Sequence, residues 1–308
     1  MAERLCVRDD PLLAVLVLLL AGFGGFAAWQ GWMWQGPPPP SLEVVTVRGE
    51  AVTLFGEGVY RFNPVFEALT YRAQDAVMVL ALVVALWAAL LMRGARAIAL
   101  LLAVLGYIFY GYASLALGAA FDWLFPAYVA LMGLSLFALW RAGRKGAVVL
   151  SRAVGVPRLG LGMFLLLAGL GTFAIWGFPL LSALSLGGVP ETLSSNTTLV
   201  THALDLGVIV PFALVAAVMV LRGRVGGHVV ALPLLGCILF LLPTILVATG
   251  LQMQAGFEFT LQEWVGPIGG FGVIGLIAGW FLRYYLLVLR EPPEPASAAA
   301  AAQAAQAA

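Results

Sequence analysis

Apolar residues run along the chain in eight long stretches, at about 11–32, 76–92, 97–117, 124–140, 159–181, 203–221, 229–251 and 265–282. Each reads as a helix, and about 20 apolar residues in a helix cross the roughly 30 Å hydrocarbon layer of a bilayer. The first has the position of a signal sequence. It is longer than a signal's apolar region, however, no small-x-small site follows it, and it has an internal copy, so it is expected to stay as the first span. The one long polar interruption, about 35–72, opens with the stiff proline run 37–40. Its β-branched alternation around Arg48, Gly49 and Glu50 predicts a small β-hairpin. The end of the chain, EPPEPASAAAAAQAAQAA, has no apolar face to bury, so 291–308 is expected to be a disordered cytoplasmic tail.

The first stretch is written twice. Residues 18–29 read LLLAGFGGFAAW and residues 165–176 read LLLAGLGTFAIW, identical at nine of twelve positions and 147 apart. Later matches keep the same order. RAQD at 72–75 meets HALD at 202–205, LGYI at 105–108 meets LGCI at 235–238, and DWLFP at 122–126 meets EWVGP at 263–267. Arg93 with Gly94, and Arg222 with Gly223, mark matching turns. The pattern predicts an all-α membrane protein of two tandem four-helix repeats: module 1–150, with an outer hairpin loop at 35–74, and module 151–290. Four spans per module give both the same orientation, and parallel repeats pack about an axis along the membrane normal. Pro211, Pro233 and Pro243 stand where the first half has Ala81, Ala103 and Ala113, so the second module is expected to bend where the first is straight.

Composition fixes the environment. A chain that is 62% apolar, 10% charged and of mean hydropathy +1.01 belongs in a bilayer. Its sixteen Lys and Arg are scattered rather than gathered on a face, so no nucleic-acid partner is expected. With the N-terminus inside, thirteen of the sixteen fall on the cytoplasmic side and three, Arg48, Arg61 and Arg72, outside. The bias predicts cytoplasmic N- and C-termini and an outer face that carries the hairpin. Cys6 and Cys237 form neither a CxxC pair nor a disulfide scaffold.

Candidate chemistry is sparse. Asp75 and Asp205 open the second and sixth apolar stretches, each three residues after Arg72 or His202 and so on one helical face with it. One reading makes these four a polar, proton-responsive cluster that binds a substrate or ion at the outer mouth of the module interface. The other makes the aspartates helix caps that satisfy orphan amides. Asp122 and Glu263 are secondary candidates, each read as an acid at a helix N-terminus beside a belt Trp. Trp29, Trp32, Trp34 and Trp176 are read as interfacial belt anchors. Gly266, Gly270, Gly275 and Gly279, four apart, predict close helix contact. His202 and His228 are expected on opposite sides of the membrane, which argues against a haem, and no zinc spacing, phosphate loop or nucleophile elbow occurs. No cofactor and no metal site is therefore expected, and nothing supports an enzyme.

Three segments, GEGVYRFNPVFEALTYRAQDAV, FDWLFPAYVALMGLSLFAL and HALDLGVIVPFAL, carry a resemblance. On them the chain resembles bacterial eight-span inner-membrane proteins of unassigned activity, which implies the topology and no mechanism. Two functions follow from the pattern. Parallel repeats are frequent in transporters whose sites lie between the repeats, so a small molecule or ion is one expected partner. The rival is a non-transporting scaffold that recognises an extracytoplasmic protein through the hairpin and the acidic outer face.

Overall fold

The computed structural model describes residues 10–33 and 41–289. Arg4, Cys6, Arg8, Trp34, the proline run 37–40, Arg290 and the 291–308 tail lie outside the described residues. Among the described residues, eight helices are long and apolar enough to cross a membrane: α1 (Pro11–Met33), α2 (Val65–Leu90), α3 (Gly94–Gly118), α4 (Phe125–Val149), α5 (Arg158–Ser185), α6 (Val200–Leu221), α7 (Val225–Gln254) and α8 (Leu261–Val288). Between α1 and α2 stands the expected hairpin, β1 (Leu42–Val45) paired antiparallel with β2 (Ala51–Leu54), with Val44 opposite Val52.

Local chemistry explains where the helices start and turn. Asp10 caps α1, its Oδ1 accepting the Leu13 N–H at 3.1 Å, and Pro11 fills the first helical position. Thr260 and Glu263 form a reciprocal capping box at the head of α8. The chain leaves α2 and α6 through the Arg-Gly turns, where Gly94 (φ 68°) and Gly223 (φ 67°) adopt the same left-handed conformation, which a side chain would strain.

Helix α2 begins at Val65, eleven residues before its apolar stretch. Its polar residues find partners inside the protein rather than ending the helix. Glu67 Oε1 accepts from Asn196 at 2.7 Å, Thr70 Oγ1 accepts from Gln252 at 3.0 Å, and Gln74 donates to the Gly111 carbonyl at 3.0 Å. Helix α6 departs from regularity. Its opening turn is wide, the Val210 N–H reaching back five residues to the Asp205 carbonyl, and Pro211 follows at once with no N–H to offer. Pro233 and Pro243, by contrast, are accommodated inside the continuous α7.

Helix α3 is the centre of the molecule, almost wholly buried and packed against α2, α4 and α7, with further contacts to α6 and α8. Helix α1 lies along α2 and α4 and closes the first four helices into a bundle. Helix α5 lies along α6 and meets α8 chiefly through the Phe164 and Phe281 rings, 5.6 Å apart, so the last four helices stay more open.

At the α3–α7 crossing the backbones touch. A Cβ on Gly106 would stand 2.2 Å from the Pro233 carbonyl oxygen, and one on Gly236 would stand 1.9 Å from that of Ala103. The two contacts are reciprocal, and both Gly106–Gly236 and Ala103–Pro233 are pairs 130 residues apart. Of the α8 glycines, Gly275 and Gly279 abut Leu242 and Leu239, as their spacing predicts, whereas Gly266 and Gly270 face open space. Gly236→Ala is therefore expected to cost about 1–3 kcal/mol, because a carbonyl of a packed helix cannot move aside, while Gly270→Ala costs nothing measurable. Thermal unfolding in detergent checks the pair.

At the end of the molecule away from the hairpin, the buried Asp10 binds Arg141 Nε at 2.8 Å and Lys145 Nζ at 3.6 Å, tying α1 to α4. Burial pushes the Asp10 carboxyl up, but Arg141, the Leu13 N–H and Lys145 together outweigh it and hold the carboxyl below its ordinary value. A carboxyl lowered in the folded state stabilises above its ordinary pKa, and that contribution is lost as pH falls through the folded value. Asp10→Asn is expected to cost about 1 kcal/mol at neutral pH, since Arg141 is partly exposed, and to show no loss in acid beyond what other carboxylates cause. Unfolding temperatures of the two proteins at neutral and acid pH test this.

Candidate functional site

The four leading candidates form two clusters, one on each side of α3. Asp75 is the eleventh of 26 residues in α2, about 15 Å along the helix from its start, and is almost completely buried. It is therefore neither a helix cap nor at the outer end of its span, because the helix runs on through the polar stretch that precedes it. Its Oδ2 accepts a hydrogen bond from the Tyr60 hydroxyl. Tyr60 comes from the loop after the hairpin, which folds back into the helices. Asn63 ties this loop down by donating to the Tyr60 carbonyl at 2.9 Å and accepting the Ala120 N–H at 2.8 Å. Burial first, and then the Asp75 carboxylate, push the Tyr60 hydroxyl far up, so it stays protonated and remains a donor.

Helix α1 approaches Asp75 through glycine. A Cβ on Gly31 would overlap Asp75 Oδ2, and one on Gly24 would stand 2.6 Å from the Tyr112 hydroxyl. Arg72 lies one turn before Asp75, half-buried, with its guanidinium 5.9 Å from the Trp32 ring. Asp122, just ahead of α4, accepts the Leu124 N–H on Oδ1 at 2.5 Å, and burial raises its carboxyl above the ordinary value.

The second cluster joins the two halves of the chain. Asp205, on the wide turn of α6, accepts from Trp176 Nε1 of α5 at 2.7 Å and from the Tyr110 hydroxyl of α3 at 2.9 Å. His202 is buried one turn earlier, its ring 4.5 Å from the Trp176 ring. Beside them lies an open groove of about 570 Å³, lined by Leu180, Thr197, Leu199, His202, Leu206 and Gly207 among others. Among the described residues no Lys or Arg is ion-paired to Asp75 or Asp205 (salt bridges form at Asp10 and Glu50), so both carboxylates rest on neutral donors.

The arrangement amends several expectations. Asp75 and Asp205 take their hydrogen bonds from different side chains, Tyr60 for the one and Tyr110 and Trp176 for the other. Trp176 is a hydrogen-bond donor to a buried acid, while Trp29, its counterpart in the duplicated stretch, is exposed as a belt residue would be. Glu263 is exposed and is occupied by its capping box. Sequence reasoning missed Tyr60, Tyr110, Tyr112 and Tyr128. Three tyrosines within six residues of an apolar span, at 107, 110 and 112, were the available signal.

No known protein family matches the chain, and no curated protein or solved structure shows significant similarity to it. Fold and site define a class: a multi-pass helical membrane protein with two carboxylates, Asp75 and Asp205, buried between its helices without an ion pair among the described residues.

If Trp176 holds Asp205, Trp176→Phe and Tyr110→Phe should each cost about 1–2 kcal/mol, the price of leaving a buried carboxylate oxygen short of a donor. Trp29→Phe should cost almost nothing. The three variants are compared by thermal unfolding.

Proposed function

We propose that the protein is a transporter of a small molecule or ion, with its site between two like-oriented four-helix modules and Asp205 at that site. The observation that carries this reading is the pair of donors on Asp205. Tyr110 belongs to the first half and Trp176 to the second, so any shift of one module against the other changes the coordination of a buried acid. Ionisable groups inside a membrane protein are costly to keep and mark ion or substrate paths. The wide turn at Asp205 has the irregular backbone that transporters place at their sites, and His202 with the adjoining groove gives a ligand room to approach. The reciprocal contacts of Gly106 with Pro233 and Gly236 with Ala103 support the tandem repeat and a two-fold relation between its halves. On this reading the hairpin side is extracytoplasmic, both termini are cytoplasmic, and the membrane is the cell membrane, as the thirteen-to-three distribution of basic residues favours.

A second reading, a scaffold that engages an extracytoplasmic partner, draws on the hairpin alone, where Leu42, Val45 and Val47 are exposed.

The test is a thermal-shift screen of ions and metabolites on the purified protein beside Asp205→Asn, with hits carried into uptake by proteoliposomes. A transported ligand at about 100 times its Kd should stabilise the native protein by about 2.7 kcal/mol, leave Asp205→Asn unmoved, and accumulate only in vesicles that hold the native protein. If no ligand stabilises it and Asp205→Asn loses only folding stability, transport at this site is wrong and the hairpin's partner becomes the object.

A further inference from the structure

We propose that the groove beside His202 takes an uncharged, hydroxyl-bearing lipid from the bilayer, such as a diacylglycerol, with its chain against the leucines of the groove and its hydroxyl on the His202 ring. The proposal rests on the transport reading and names the class of substrate the site receives, a lipid rather than an ion or a water-soluble metabolite.

An unpaired imidazole carries the argument. His202 is only 6% exposed, and among the described residues its ring has no hydrogen-bond partner; its one ring contact is with Trp176. Its nitrogens are not sealed in the interior, and the residue lines the groove, so they are presented there. His228 shows the contrast, since its Nδ1 is bonded to the Tyr285 hydroxyl at 2.5 Å. Buried polar side chains are nearly always paired, so a free imidazole facing a groove marks a place where a polar group binds. A neutral imidazole offers one donor and one acceptor, and a hydroxyl can meet either.

The walls narrow the occupant. Leu180, Leu193, Leu199 and Leu206 supply most of the lining, and none of the residues that line the groove is charged. Its volume of about 570 Å³ lies within the range of small-molecule sites. An ion or a polar metabolite would shed its water against leucines, with few polar groups to replace it. An anionic head would find no Lys or Arg in the lining to pair with. Thr197 and Thr198, both exposed, add hydroxyls to the lining and suit an uncharged polar head. Asp205 is one turn from His202, and both of its oxygens are already met by Tyr110 and Trp176, so the imidazole is the free partner.

Position and access agree. The groove is on the hairpin side, where Arg48 of the hairpin turn donates to the Ser194 carbonyl beside Leu193. Its α6 wall is confined to the first two turns of that helix, and Leu180 stands near the end of α5 at Ser185. It therefore reaches from the head-group level into the acyl layer. Close to Leu180, the α5 residues Phe178, Leu181 and Leu184 are each more than half exposed, so this edge of α5 faces lipid and a chain can enter from the side. Gly207 also lines the groove, and a Cβ there would meet nothing within 4 Å, which keeps the space beside the wide turn open.

Photolabelling of the full-length protein by a diazirine-bearing diacylglycerol, in phosphatidylcholine nanodiscs, tests the assignment. Label is expected on 193–207, displaced by excess diacylglycerol and not by phosphatidic acid with the same chains. His202→Phe keeps a ring and removes both nitrogens, and should weaken labelling about fivefold. Gly207→Leu fills the groove where there is room for a side chain, and should abolish labelling without lowering the unfolding temperature. If His202→Phe does not fold, Gly207→Leu carries the test alone. Label spread alike over all lipid-facing helices, label on 193–207 that Gly207→Leu leaves unchanged, or equal displacement by phosphatidic acid would overturn the proposal. A water-soluble ligand that stabilises the native protein but not Asp205→Asn, with 193–207 unlabelled, would overturn the lipid and leave transport standing. Specific label on 193–207, lost in Gly207→Leu, would uphold the lipid site even where the uptake assay had refuted transport.

Discussion

The backbone contact between α3 and α7 decides where the tyrosines of α3 point. Helices in a membrane gain nothing from hiding apolar surface from water, so they associate by close packing, and small residues allow the closest approach. Gly106 and Gly236 bring the two central helices together with no side chain between them at either contact. That depth of packing buries α3 on nearly all sides, so its three tyrosines point their hydroxyls at neighbouring helices rather than at solvent. Tyr107 meets Thr244 of α7 at 2.8 Å and stacks on Phe240, 5.3 Å away. Tyr110 turns to Asp205, and Tyr112 turns to the first bundle. One crossing thereby distributes hydroxyls to both sides of a single helix.

Each buried carboxylate is held differently. An acid without a cation in a low-dielectric interior is costly unless donors compensate. Asp75 takes its donor from a loop, since Tyr60 enters from the segment after the hairpin and closes over it. Asp205 takes its donors from two helices of different halves. Under the proposed repeat the contrast is one of divergence from a common plan. The counterpart of Trp176 is Trp29, which is exposed, and the counterpart of Tyr110 at the offset of 130 is Phe240, which has no hydroxyl.

Much of this was legible in the sequence because it depends on local pattern. Eight apolar stretches gave eight helices, the β-branched alternation gave the hairpin, and the Arg-Gly pairs gave two turns of identical backbone conformation. The beginning of α2 was not legible. Glu67, Thr70, Arg72 and Gln74 depress the hydropathy of 65–75, and only the tertiary structure supplies Asn196, Gln252 and the Gly111 carbonyl that let a helix carry them. For the same reason the depth of Asp75 was hidden, and with it the distinction between a cap and a buried acid. Tyr60 was hidden because its role depends on a loop folding inward. The Thr260–Glu263 box was readable, since Thr-x-x-Glu at the head of an apolar stretch is a signature of a helix start.

The two halves also differ in how closed they are, and the difference falls where a transporter would need it. In the first, α1 packs on α4 and Tyr60 plugs the interior, so four helices and a loop form one packed body. In the second, α5 scarcely meets α8, and the entry turns of both α6 and α8 are wide, with hydrogen bonds that reach five residues back. Packed bodies resist continuous deformation, whereas a wide turn beside a proline is a place where a helix changes direction at low cost. Asp205 stands on such a turn and is bonded to the packed half through Tyr110. On the proposed reading, a ligand that competes for the carboxylate acts at the joint between a fixed body and a yielding one, and so needs no long path through the protein to move one against the other.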